Sequence, residues 1–224
     1  MRHVLLLCVA LTALLAGPCS AMANDMADVQ QLIREAQAVW GRDFAYAESR
    51  LRQAQEIAEA RSGTDNATVA EVLNLRGRNA FNAGNNKVAE SMFRRDLAIS
   101  MRVQPESVQT ARAMGDLAAT LREMCQLNEA VRMVIPSIEM RRRILPPGSA
   151  WIASGLDNLS KIRELQGMEA DAIAAMEEAV AVLRLAGGAA EADLARSRQR
   201  LACLQDTRRT KACWPKRCLA VPVS

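Results

Sequence analysis

Apolar residues recur along this chain at helical intervals, three and four apart, and no stretch alternates apolar with polar residues as a half-buried strand would. A longer period lies over the short one. The segment "GDLAATLRE" (115–123) is echoed by "DNLSKIREL" (157–165), which sets Leu117 and Leu159 42 residues apart. The same step leads upstream to Leu75 and Ile33 and downstream to Leu201. A second ladder runs through Ala47, Ala89, Ala130 and Ala172, and ten residues after each comes a further apolar position, Ile57, Ile99, Met140 or Val182. Breakers keep the phase: Gly63, Pro105 and Pro147 separate the units, while Gly41, Gly84 and Gly167 sit inside them, with Cys125 in the equivalent place of the third.

Each unit therefore predicts a helix, a tight turn and a second helix. Glycine suits the inner turn because it enters the left-handed region without a Cβ clash. The ladder alanines let the second helix approach the first closely. One such pair cannot bury both of its apolar faces, so neighbouring pairs must stack, each ladder leucine contributing about 1.5–3 kcal/mol when buried. The prediction is an all-α superhelix of about four helix pairs over residues 24–206, closed by a capping helix at 190–206. Pro136 falls within the second helix of unit three, where a missing amide hydrogen predicts a bend near Ile135. Arg141, Arg142 and Arg143 follow near that helix's C-terminus, where cations complement the dipole.

Composition supports the helical reading: half of the residues are hydrophobic but only 3% aromatic, a mix that disfavours strands. The first 23 residues stand apart. A basic start at Arg2, an apolar run from Val4 to Ala16, a Gly17-Pro18 break and small residues at Ala21 and Ala23 read as a secretory leader cleaved after Ala23. Pro18 occupies a place where lipoprotein signals carry a small residue, which argues against lipidation at Cys19. Without Arg2, 28 basic residues face 25 acidic ones, too mild an excess to imply nucleic acid, and no segment reads as a transmembrane span.

Export permits disulfides. Cys125, Cys203, Cys213 and Cys218 remain after the leader, with neither CxxC pairs nor histidine for a zinc site. The expected staple joins Cys203 to Cys213 or Cys218 and leaves Cys125 as a small buried thiol. Residues 207–224 form a basic tail with Trp214 beside Pro215, readable as a pinned flap over the cap or as a cationic contact for an anionic envelope polymer.

The segments "DLAATLREMCQLNEAV" and "NLSKIRELQGMEADAI" resemble the tetratricopeptide repeat in its 42-residue form, the form of kinesin light chains. The resemblance covers about residues 30–206 and is clearest in units three and four. Units one and two depart from it, with Arg34 and Arg76 following the ladder residue and one extra residue before the ladder alanine. The resemblance implies a superhelix whose first helices line a concave groove that docks proteins or peptides.

Candidate chemistry is mostly negative. The single histidine, His3, lies in the leader, which removes His-based catalytic dyads, and no phosphate-cradling or dinucleotide glycine motif occurs. Glu177 and Glu178 are adjacent and splay apart on a helix. No metal and no cofactor is expected. Asn74, Arg78 and Asn82, spaced four apart beside Leu75, form a polar stripe matched by Asp116, Thr120 and Glu123 in unit three and by Asn158 and Lys161 in unit four. Stacked side by side, these predict a surface able to hold an extended peptide. The leading expectation is an exported, noncatalytic scaffold for protein partners; a polymer-binding accessory module and an enzyme with an unrecognised site are the alternatives.

Overall fold

In the computed structural model the described residues, 18–206, form nine α-helices and one short 3-10 turn. They follow the predicted units. The pairs are α1 (Pro18–Ala38) with α2 (Phe44–Ser62), α3 (Ala67–Asn82) with α4 (Asn86–Val103), α5 (Val108–Glu123) with α6 (Leu127–Ile144), and α7 (Ala150–Leu165) with α8 (Glu169–Leu185). The 3-10 turn Gly187–Ala190 leads into the capping helix α9 (Glu191–Gln205). The expected leader boundary after Ala23 falls within α1; residues 1–17 and the tail 207–224, with Cys213, Trp214 and Cys218, lie outside the described residues.

The turns show why the period survives in such different residues. Gly41, Gly84 and Gly167 take φ of 74°, 77° and 77°, and Cys125 takes 61°, the single non-glycine with positive φ among the described residues. At each of the last three turns the next amide reaches back five residues: Asn85 N to Ala80 O (2.8 Å), Gln126 N to Leu121 O (2.9 Å) and Met168 N to Arg163 O (2.9 Å). This Schellman closure satisfies carbonyls that the helix end would otherwise orphan. First helices start on side-chain caps at matching phase, Asn66 accepting from Val69 N, Ser107 from Thr110 N and Ser149 from Trp151 N.

Successive pairs stack, and the first helices touch directly across units, α3 with α5 and α5 with α7, more closely than successive second helices do. The first helices therefore lie on the inner side of the curved array. All four ladder alanines are fully buried, as are Ile33, Leu75 and Leu117. Leu159 and Leu201 are only half-buried. They belong to α7 and α9, whose backbones do not pack as the earlier first helices do.

Pro136, beside which a bend near Ile135 is expected, does not end the helix: α6 runs from Leu127 to Ile144 as one element. Pro136 and Arg132 both face solvent, so the carbonyl deprived of its proline amide lies on the wet side of the helix. The arginines ending α6 are also not explained by the dipole alone. Arg142 pairs with Glu178, Arg143 Nε reaches Glu106 Oε1 at 2.6 Å, and Arg141 is buried.

Candidate functional site

Packing decides which of the polar residues on the first helices remain available. Asn74 is fully buried, and its Nδ2 donates to Asp96 Oδ2 of α4 at 3.0 Å and to Asp116 Oδ2 of α5 at 3.1 Å. Asp96 also accepts from Ser100 Oγ (2.9 Å) and Gln109 Nε2 (3.0 Å), yet burial pushes its carboxyl up to about 6. Burial raises Asp116 as well, against the pull of Asn74 and of the Arg78, Arg112 and Arg141 cations. The buried apolar residues form two cores, one built from α1 to α3 and Ile99, the other running from Ala89 and Phe93 to Leu204.

Of the other predicted site residues, Thr120 is buried and donates to Asp116 O of its own helix, at 2.9 Å. Asn158 accepts from Arg122 and is nearly covered. Glu123 pairs with Arg122 at 2.7 Å. Arg78, Asn82 and Asp116 line a shallow pocket of about 180 Å³ between α3 and α5, where Arg78 lies over the Trp40 ring at 5.5 Å. Lys161 opens instead onto a larger cavity and bonds Asp157 at 2.6 Å. The stripe is thus divided: Asn74 and Asn158 bond across neighbouring units, Thr120 is buried against its own helix, and Arg78, Asn82, Asp116 and Lys161 border the pockets.

The larger cavity, about 560 Å³, occupies the gap between α7 and α9. Trp151, Ser154 and Asp157 line it from α7, and Asp193, Arg196 and Ser197 from α9. Arg200 bridges the gap, with Nε 3.2 Å from Asp157 Oδ1 and Nη2 2.9 Å from Glu164 Oε2. Trp151, which lines this cavity, is 45% exposed. The opposite side of its helix is firmly held. Arg141, 6% exposed, donates from Nη1 to Trp151 O at 2.6 Å and from Nη2 to Ala111 O at 3.3 Å, with its guanidinium 5.8 Å from the Trp151 ring.

Two glycines make room for that arginine. A Cβ on Gly115 would meet Arg141 Nη2 at 2.6 Å, and one on Gly155 would meet Ile138 Cγ1 at 2.8 Å and Arg141 Nη1 at 3.4 Å. The residues on the α7 side of the gap follow helical spacing from Trp151 through Ser154 and Asp157 to Lys161. That spacing was available in the sequence; the separation of α7 from α9 that opens the cavity was not. The cavity offers an aromatic wall and paired charges. Among the described residues no group of His, Cys, Asp and Glu is placed to hold a metal ion, and no helix is long and apolar enough to cross a membrane.

One further sequence expectation fails here. Cys125 is not a free thiol: both Cys125 and Cys203 are disulfide-bonded. A left-handed residue with a Cβ carries a conformational cost, and at Cys125 the side chain that imposes it is engaged in a covalent bond.

The tetratricopeptide repeat family model matches residues 109–185. No curated protein matches the chain. Among solved structures, BtubC (BKLC) from P. vanneervenii is similar with a TM-score of 0.68 and 20% identity, over 86% of each chain. The nearly identical TPR-like repeats of a kinesin-light-chain-type protein from Podosopora anserina are similar with a TM-score of 0.62 and 17% identity, over 84% of this chain and 93% of that one. The first of these likenesses, like the second, is one of fold. Residues 109–185 match tetratricopeptide repeats, the helix pairs before and after them continue the same stacking, and the chain has the fold of a tetratricopeptide-repeat solenoid.

Proposed function

We propose that this protein is an exported, noncatalytic scaffold that receives a segment of a protein partner on the inner side of its helix stack, in the gap between α7 and α9. The observation that carries the reading is the cavity beside Trp151: an exposed indole backed by a buried arginine, facing Ser154, Ser197 and Arg196 across about 560 Å³. An aromatic anchor beside groups that bond a peptide backbone is a recurring arrangement for extended-peptide capture. Proteins built from tetratricopeptide repeats generally mediate protein–protein contact, which agrees with the fold. Export rests on the leader-like residues 1–23 and predicts a mature protein beginning at Asn24.

The test is site-specific photocrosslinking in the native cell envelope. A photoreactive residue at Ser154 or Ser197 should capture a discrete partner, whereas one at Met101, exposed on a second helix, should not. Trp151→Ala should abolish that capture while leaving the thermal transition within a few degrees of wild type. Equal capture from all three positions, or capture indifferent to Trp151, would remove the gap as the docking site.

A further inference from the structure

We infer that the edge of the array formed by the connections between units docks on an anionic lipid surface, as a peripheral contact that does not span the bilayer. Each helix pair returns to the side on which it began, so α2, α4, α6 and α8 end on this edge and α3, α5, α7 and α9 start there. Contacts between neighbouring connections make the edge continuous. Arg102 bonds Asp65 at 2.7 Å, and one unit further on Arg143 bonds Glu106 at 2.6 Å. The next connection packs so closely on the end of α8 that a Cβ on Gly148 would meet Ala186 N at 2.7 Å.

Charge is sorted between the two edges. Arg61, Arg102 and Arg143 recur every 41 residues, and Arg184 follows Arg142 by 42, so each second helix carries a cation in its last turn. The acids on this edge, Asp65, Glu106 and Glu191, are fewer, and Arg184 has no ion pair among the described residues. At the opposite edge, where the second helices begin, Glu129, Glu169 and Asp171 outnumber Lys87. Each of these cations and acids complements the dipole of its own helix, and together they give the array one positive and one negative edge. Such a field turns the positive edge towards an anionic surface.

Apolar side chains stand exposed beside these cations. Met101 and Val103 flank Arg102, Val108 opens α5, and Leu185, next to Arg184, is 70% exposed. Apolar groups among arginines suit the headgroup boundary, where the former enter the acyl margin and the guanidiniums bond phosphates. The apolar residues are spread one or two to a connection, which fits a fluid surface better than the packed hot spot of a protein partner. A second copy of the chain would bring two arginine-bearing edges together. Docking here does not require occupation of the α7–α9 gap.

Vesicle sedimentation with the purified full-length protein tests this, comparing phosphatidylcholine alone with phosphatidylcholine holding about 30 mol% phosphatidylglycerol. The protein should sediment with the second only, and less as salt rises from about 50 to 500 mM. Because residues 207–224 are also basic, the comparison between edges decides. Arg184→Glu combined with Leu185→Gln should weaken binding at least about tenfold, whereas Val88→Gln, exposed at the opposite edge, should leave it within about twofold. Val103→Gln with Val108→Gln, at another connection, should also weaken binding, and it provides the comparison if the first pair loosens α8. No sedimentation with anionic vesicles at low salt, equal losses from the two edges, or a concentration-dependent dimer dissolved by Leu185→Gln would overturn the assignment.

Discussion

Replacing Asp96 by Asn should reverse part of the protein's pH response. Asp96 is fully covered, and its three hydrogen bonds from Asn74, Ser100 and Gln109 do not offset the loss of hydration, so its carboxyl titrates at about 6 instead of 3.8. Because the folded chain holds this proton more tightly than the unfolded chain, the group's stabilisation is complete below about pH 4. It is then lost as pH rises through 6. Titration at about 6 in place of 3.8 corresponds to about 3 kcal/mol. Asparagine is uncharged throughout. Urea unfolding at pH 4, 5, 6 and 7 should therefore show Asp96→Asn gaining on wild type by about 3 kcal/mol across that range, most of it between pH 4 and 6. Any fixed packing difference cancels in the comparison. Two parallel stability profiles, separated by a constant within about 0.5 kcal/mol, would refute the reasoning and mean that Asp96 is well solvated or better paired than its position indicates.

Three further outcomes probe the packing. Leu117→Ala, at a ladder position 1% exposed, should cost about 2–5 kcal/mol in chemical denaturation. Gly77→Ala should cost about 1–3 kcal/mol, because its Cβ would fall 2.6–2.9 Å from three atoms of the buried Phe93 ring; Phe93→Leu in the same chain should recover part of the loss, measured as a double-mutant cycle. Arg141→Ala should cost on the order of 2 kcal/mol or more, while Arg143→Ala, which breaks a pair more than half exposed on both sides, should change the urea midpoint by less than the equivalent of about 1 kcal/mol.

The repeat architecture was readable from the sequence because its determinants are local. The inner-turn glycines predict left-handed helix ends, and the ladder alanines predict close pair packing; both are properties of one unit. The polar cluster was not readable in the same way. Asn74 and Asp116 look like two members of a solvent-facing stripe until a neighbouring unit covers them, and Asp96 lies on a second helix that the stripe does not include. Arg141 looked like a dipole complement, and its burial depends on glycines in the helices before and after its own. The α7–α9 gap depends on how the cap is seated, which no periodicity encodes. In each case the deciding contact joins different units, while the legible pattern describes a single one.

The lodging of Arg141 also limits how this array could be rearranged by recombination. Its guanidinium is fastened to the first helix of its own unit at Ala111 and to the following unit at Trp151, and it sits in hollows left by Gly115 and Gly155. The third unit is therefore not a tile that can be cut out, duplicated or moved along the stack without the unit that follows it. Transplanted alone, it would leave behind the acceptor at Trp151 and the hollow at Gly155 that complete the seat of its cation.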